Sequence, residues 1–558
     1  MPLSRLLRLL GLAPAASLLA VSAPDSPPAP AARPNILFVA VDDLNAYVSF
    51  LRDEPDNFLR KVYPDDALRA AVTRRLTPNL DRLAGQSLIF SRAYCPSPLC
   101  GPSRTALLTG VPPHISGYYQ HRTLFRAQEA LRDVATLPEY LKAGGYVSVG
   151  FGKVFHGPVQ RRNPDGTMAD WPDIERSWTQ FLQRQIGPRG PGGKVTRSPY
   201  SPGSGAMAAW DSGNLKTDAD TGGGRKPDMD ELFSFGTIDL PAEQTFDYEN
   251  AAFAAELLMK RRGTLADRSG QPVEINLPED RPFFLACGLY APHLPWVVPP
   301  EFFERVPLEE MAIDDALVRW VEEDIRDLPP QALAEFIQQD WDKIKALGEQ
   351  RDGPGGVKAA WRAALQAYLA SIAYADHCLR PLVDAIEQHP ARDHTIVVLW
   401  SDHGWNVGDK RRFRKHALWE GANHSVLLVR DPRLPASTRG AVCPVGVSLQ
   451  DLYPTLVARA GLPRPEHVYG HDLTPLLESP EGAWDRPVLI TYNPHNHAVR
   501  TATWSYLRYR DGGQELYDLA RDPFEYHNLA DDPMHADRLK EMDALLNRLL
   551  AETPADQR

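Results

Sequence analysis

The sequence lacks a long apolar run, is poor in cysteine, shows no internal repeat or heptad pattern, and carries no surplus of basic charge. Each absence removes a class of protein. The apolar stretch at residues 9–23 is rich in small residues, broken by Pro14 and preceded by Arg5 and Arg8. It is shorter than the roughly 20 residues that span a bilayer, so it reads as a cleaved export signal and not as a stable membrane insertion. The competing reading is a disordered Ala/Pro tail. Residues 24–34 look like a linker, residues 1–32 are set aside as signal plus linker, and the expected location is periplasmic or secreted. No cysteine precedes Cys95, so nothing points to lipid attachment near the start. The five cysteines, Cys95, Cys100, Cys287, Cys378 and Cys443, have no metal-type spacing. They are odd in number and few for an exported chain, so disulfides are not its main scaffold. A net charge of −11 gives no general electrostatic reason to bind nucleic acid. Attraction for an anionic substrate must then be local.

At 558 residues the chain is too long for one simple core. The pattern implies a large domain over 33–475 and a small one over 476–558. Continuous apolar runs at 36–41, 147–151, 283–289, 395–400 and 426–429 fit strands buried on both faces. Helical stretches lie between them, including 77–83, with Thr77 as cap and Pro78 in the first turn, and 361–386. The alternation predicts an α/β domain with a largely parallel sheet flanked by helices. Residues 44–76 read as polar, loop-like or weakly helical cover for a site, and 187–225, rich in Gly, Pro and Ser, as a long surface insertion. Beyond about 475, short strands at 488–492, 498–501, 506–509 and 515–519 predict a small antiparallel sheet. A terminal helix at about 534–550 follows.

Ligands of such sheets gather beyond the carboxyl ends of the strands. Four strand ends carry polar chemistry: Asp42-Asp43, Lys153 with His156, Pro292-His293, and Asp402-His403. The string Cys100-Gly101-Pro102-Ser103-Arg104, running on to Thr109-Gly110, holds a cysteine between Pro-rich turns and a helix, with Arg four positions later. From the residues alone it is an activated thiol, a buried structural cysteine or a disulfide partner of Cys95. Lys410-Arg411-Arg412-Phe413-Arg414-Lys415-His416 is the one dense basic run, either a solvated face or an attractor for an anionic polymer.

These motifs together resemble the type I, formylglycine-dependent sulfatases. The Cys100 string is similar to that family's C-x-P-S-R signature. Pro34 to Asp43 looks like its opening strand, and Thr77-Pro-Asn-Leu-Asp81 like its first helix. Gly152-Lys153-Val-Phe-His156, Ala291-Pro292-His293 and Ser401-Asp402-His403-Gly404 are similar to the iduronate-2-sulfatase branch and its bacterial relatives. So is the late segment Glu515-Leu-Tyr517-Asp518 through Asn528-Leu529.

The resemblance implies an alkaline-phosphatase-like fold, conversion of Cys100 to formylglycine by a maturation enzyme, and one calcium ion per chain. It places Asp42, Asp43, Cys100, Asp402 and His403 at the metal. Their hard carboxylate oxygens suit Ca²⁺ or Mg²⁺ and suit a thiolate-preferring metal poorly. One hydroxyl of the hydrated aldehyde attacks sulfur. Arg104, Lys153 and Lys415 neutralise the sulfate oxygens, His293 protonates the leaving alcohol, and His156 handles the second hydroxyl. The implied substrate is a sulfated saccharide such as a uronate 2-O-sulfate.

Three positions depart from the iduronate branch: Ala291 stands where relatives carry Lys or Arg, Arg412 replaces a His, and His424 stands where many have Arg. Rival functions are a phosphate or phosphonate ester hydrolase on the same fold, a non-catalytic binder of sulfated glycans, and a choline sulfatase. The last needs an aromatic cage that the sequence does not display.

Overall fold

Apolar runs bounded by turns satisfy their backbone groups and bury their side chains together only as strands in a covered sheet. The computed structural model describes residues 33–121, 124–156, 173–182, 194–197, 235–267, 269–337, 340–389 and 392–557. The expected export signal lies outside these residues, as does most of the expected insertion at 187–225. Eight strands form the main sheet: β1 (Asn35–Val41), β2 (Leu88–Tyr94), β3 (Val147–Gly152), β4 (Gln180–Leu182), β5 (Phe283–Leu289), β6 (Thr395–Ser401), β7 (His424–Arg430) and β8 (Val442–Ser448). Their order is β8-β2-β7-β6-β1-β5-β3-β4. β1 pairs in parallel with β6 and β5, and β5 with β3. β7 runs antiparallel to both of its neighbours, so the sheet is mostly parallel, as predicted.

The side-chain period of two splits β1 between two cores. Leu37, Val39 and Val41 face a layer that holds helices α3 (Phe246–Lys260) and α4 (Val357–Gln388). Ile36, Phe38 and Ala40 face a second layer that includes Leu107 and Leu108 of α2 (Cys100–Thr109). Residues 44–76 are partly helical, as expected, and more deeply buried than their polarity implies. They fold into the short helix Leu59–Val62 and the longer Asp66–Leu76, and Leu44, Tyr47, Val48, Leu59 and Val62 are buried in the first core.

The helix α1 (Pro78–Ala84) forms where expected, but the Thr77 side chain does not cap it. Asp376, reaching across from α4, accepts the N–H groups of Asn79 at 3.0 Å and Leu80 at 2.7 Å. A buried carboxylate thus takes the place that local sequence assigned to a hydroxyl.

The late strands β9 (Val488–Thr491), β10 (His497–Arg500), β11 (Trp504–Arg508) and β12 (Gln514–Asp518) make an antiparallel sheet. One face packs Val499, Tyr506 and Leu516 against Met542, Leu546 and Leu549 of helix α5 (Ala536–Ala551). The other packs Ile490, Ala498, Leu507 and Tyr517 with Phe336, Leu418 and Trp419.

Candidate active site

Parallel pairing sets the site. Val41 of β1 lies beside Ser401 of β6 and Leu289 of β5, so the residues that follow all three strands emerge at one edge. Asp42 and Asp43 leave β1, and Asp402 and His403 leave β6. Asp43 turns the chain through a left-handed backbone conformation, with φ of 60°. Asp tolerates that region better than most residues. Its N–H donates to Asp402 Oδ1 at 3.1 Å, and its carbonyl accepts the Tyr368 hydroxyl at 2.8 Å. Tyr368 belongs to α4, so the longest helix fixes the turn from below.

Cys100 is the first residue of α2 and is buried. Its Sγ accepts from Lys415 Nζ at 2.9 Å and lies 3.3 Å from His403 Nε2. Burial pushes the thiol up, helped by the negative charge of Asp42, so it is held protonated. All five cysteines are free, which removes the pairing with Cys95. Burial likewise gives the activated-thiol reading no support.

Arg104, one helical turn on, was expected at the sulfate oxygens. Its guanidinium donates to Asp402 Oδ2 at 2.8 Å, Asp42 Oδ1 at 3.1 Å, and the carbonyls of Lys153 and Val154. With these bonds and no exposure, Arg104 clamps the acids and faces no open space. Lys153 Nζ contacts Asp42, and Lys415 Nζ lies 2.6 Å from Asp43 Oδ1. Lys153 reaches this position because Gly152, at φ of 69°, lets its chain cross against Gly288 of β5. A Cβ at either glycine would collide with the other's backbone or with that of Lys153.

Three fully buried carboxylates at one point repel each other. Burial alone would raise Asp42, but Lys153, His293, Arg104 and Lys415 outweigh it and hold it well below the usual range. Burial drives Asp43 up to about 7, opposed by Lys415 and reinforced by Asp42 and Asp402. Asp402 rises to about 6 for the same first reason, with Arg104 opposing. Such a group fits a hard divalent cation, and two features sharpen the fit. Asp43 Oδ2 is buried with no hydrogen-bond partner among the described residues. His403 Nδ1 lies 2.9 Å from the Gly404 carbonyl, which can only accept, so Nδ1 carries the proton. Burial and Lys415 keep His403 neutral, and its Nε2 lone pair therefore points at Asp43 and Asp402 oxygens, 3.3 and 3.5 Å away. The protonated Cys100 thiol can donate to that lone pair, and a cation among the acids would take its place. Ligand atoms of Asp42, Cys100, Asp402 and His403 lie within 4.8 Å of one another, as do those of Asp42, Asp43, Cys100 and His293.

His293 follows β5 and is partly exposed. Its Nδ1 lies 2.6 Å from the Leu294 carbonyl, and its Nε2 3.9 Å from Asp43 Oδ2. Burial, Lys153 and Lys415 hold it well below the ordinary histidine range. The His156 ring lies tilted against that of His121, with ring centroids 4.3 Å apart. His121 was not singled out from sequence, since nothing in its loop spacing marks it. It packs so closely on Gly101 that a Cβ there would lie 2.5 Å from its own.

The basic run is neither a solvated face nor a free attractor. Lys410 pairs with Asp324 at 2.8 Å, Arg414 with Asp340 at 2.6 Å, and Arg411 with Asp342. Buried Arg412 donates to the carbonyls of Lys415 and His416. Lys415 alone of the run reaches Cys100. His424 also has a local role: Nε2 bonds the Ser91 carbonyl at 2.8 Å, and Nδ1 faces Glu420 at 3.1 Å and Asp56 at 3.8 Å. Burial opposes its charge, but Glu420 and Asp56 prevail and push it up to about 9. That imidazolium and the buried Arg500 guanidinium together balance the cluster's charge.

The Sulfatase family description matches residues 34–462, and that of the N-sulphoglucosamine sulphohydrolase C-terminal region matches 408–552. A sulfatase of Formosa agariphila is 31% identical over 529 residues, covering 94% of this chain and 88% of that protein. Iduronate 2-sulfatase of Mus musculus is 25% identical, covering 90% of this chain and 91% of its own length. The structure of BT4656 in complex with its substrate D-glucosamine-2-N,6-O-disulfate aligns with a TM-score of 0.62 at 19% identity, over 93% of this chain and 97% of that one. The phosphonate monoester hydrolase of Agrobacterium radiobacter aligns with a TM-score of 0.63 at 20% identity, over 93% and 96%. These structural likenesses carry the fold, the alkaline-phosphatase-like arrangement that the family resemblance implies. The family match spans most of the chain and the bacterial relative nearly all of it, and so the protein belongs to the sulfatase family, the hydrolases of sulfuric esters.

Proposed function

We propose that this sulfatase acts on a sulfated saccharide, such as a uronate 2-O-sulfate, using a formylglycine made from Cys100 and one calcium ion. One observation carries the reading: Cys100 Sγ sits among Lys415, His403 and three acids from two separate strand tips. Asp42, Asp43, residue 100, Asp402 and His403 would hold the cation. The cation would supply stabilisation of negative charge, and the formylglycine a nucleophilic oxygen. Sγ leaves Cβ in the direction the converted oxygen would take.

This chain's own groups do the rest. Arg104 fixes the Asp42 and Asp402 oxygens, so their geometry needs no reorganisation during the reaction. Lys153 and Lys415 offer the positive charge that receives the sulfate oxygens. His293 delivers a proton from Nε2 to the departing alcohol, and His156 takes the proton released at residue 100. Ligand-free His293 is neutral, so the negative charge of the substrate must raise its proton affinity for this role. The relatives support a saccharide, since one solved neighbour holds a sulfated glucosamine. Export and a maturation enzyme complete the proposal.

The test compares wild-type protein and Cys100→Ala on nitrophenyl sulfate, nitrophenyl phosphate and defined sulfated disaccharides, with the mass of the residue-100 peptide as control. Turnover is expected to fall at least about 10⁴-fold in the variant, while its melting temperature stays near that of wild type. Substantial residual sulfatase activity in pure Cys100→Ala, or faster phosphate than sulfate hydrolysis by wild type, would overturn the reading.

A further inference from the structure

Asp247 lies in the first turn of α3 and is fully buried, yet among the described residues no lysine, arginine or histidine stands at ion-pair distance. A buried carboxylate without a cation is costly, so its bonds need an explanation. Both oxygens point at one short piece of chain. Oδ1 accepts the Tyr290 N–H at 2.9 Å and Oδ2 accepts the Ala291 N–H at 2.8 Å. These are consecutive amides at the point where β5 ends. Two acceptor oxygens held side by side are what a carboxylate offers. An asparagine would oppose one of the two N–H groups with its own NH₂.

The piece of chain so held presents His293. From Tyr290 the hydroxyl donates to the Leu294 carbonyl at 2.7 Å, the same carbonyl that lies 2.6 Å from His293 Nδ1. The Tyr290 and His293 rings lie 4.6 Å apart, and the His293 N–H donates to the Tyr290 carbonyl at 3.0 Å. Lys153 Nζ stands 4.9 Å from the centre of the Tyr290 ring. Asp247 therefore fixes Tyr290, and Tyr290 fixes the proton on Nδ1 and the aim of Nε2.

We infer that Asp247 is a positioning residue for departure of the leaving alcohol, acting through Tyr290 and His293 without touching substrate. The inference rests on the role proposed for His293. As sulfur passes to the nucleophilic oxygen proposed at residue 100, its bond to the ester oxygen breaks, that bond's electron pair goes to the ester oxygen, and the Nε2 proton of the imidazolium moves onto it to give a neutral alcohol and a neutral imidazole. A carboxylate that aims the acid matters most when the departing oxygen is a strong base. It matters little when the departing group is already a stable anion.

The experiment uses the full chain and sulfate esters of graded leaving-group basicity, from 4-nitrophenyl sulfate to an unactivated sugar sulfate. For Asp247→Asn, kcat on the unactivated ester is expected to fall about 10- to 100-fold, and on 4-nitrophenyl sulfate less than about threefold. KM should change little on either. In the His293→Ala background the same substitution should cost nothing further, since the two residues act as one unit. If Asp247→Asn does not fold, Tyr290→Phe, which removes only the hydroxyl bond to Leu294, carries the same expectation. An equal loss on all esters would make Asp247 merely structural and overturn the inference, as would no loss on any ester. Failure of wild type to cleave 4-nitrophenyl sulfate would instead strike the functional reading on which it rests.

Discussion

Removing the metal should destabilise the protein by an amount the carboxylates set, and in a way that acid reverses. Without a cation, Asp43 titrates at about 7 and Asp402 at about 6, against an ordinary 3.8. Each unit of displacement is worth about 1.4 kcal/mol, so ionising Asp43 in its buried place costs about 4 kcal/mol at slightly alkaline pH. The two acids are coupled, so their costs do not simply add. A chain of 558 residues unfolds with an entropy of roughly 1 kcal/mol per kelvin. Chelation at pH 7.5 is therefore expected to lower the melting temperature by about 4 °C. Between about 4 and about 7 the folded, metal-free chain binds more protons than the unfolded one. The stabilising contribution of those protons is complete at low pH and disappears as pH rises through 6 to 7. Lowering the pH to 5.5 should therefore close about half of the gap between chelated and calcium-loaded protein. Calorimetry on samples of verified metal content measures both effects. A gap that is absent at pH 7.5, or that widens on acidification, would refute the reasoning.

Two substitutions test the scaffold. Gly288→Ala would press a methyl group into the backbone of Lys153; it is expected to lower kcat/KM at least about 100-fold by displacing that lysine, while stability falls by only about 1–3 kcal/mol. A folded variant with full activity would show that Lys153 tolerates the shift. Asp376→Ala removes the remote cap of α1 and its 2.8 Å bond to the Asn79 amide, and a loss of about 2 kcal/mol with unchanged kcat is expected from denaturant unfolding.

The strand ends were legible because a continuous apolar run that stops at a polar pair marks both a buried strand and its exit. Asp42-Asp43, Asp402-His403, Lys153 and His293 were found in this way. That β7 runs against its neighbours was not legible, since an all-apolar strand reads alike in both directions. β2 and β8 escaped notice because Ser91, Arg92, Pro444 and Gly446 interrupt their apolar pattern. Lys415 was reachable only through resemblance, because a loop residue carries no periodicity that could place it beside Cys100. Arg104 was found in the motif, but its bonds to Asp42 and Asp402 show only in the coordinates. Asp247 and Tyr368 looked like ordinary helix residues. Their partners are 43 and 325 positions away in sequence.

The buried charges that join the late sheet to the catalytic loop limit where this chain can be cut. Arg500 of β10 pairs with Glu525 at 2.7 Å and with Glu420, which lies just before β7, and the Glu420 N–H donates to Glu525 at 2.7 Å. A truncation near residue 475 would remove Arg500 and Glu525 from beside Glu420, and breaking such a buried pair costs about 3–5 kcal/mol. Tags, fusions and crystallisation variants should therefore be built outward from the terminal helix, and the loop that carries Lys415 should be expressed together with the sheet that steadies it.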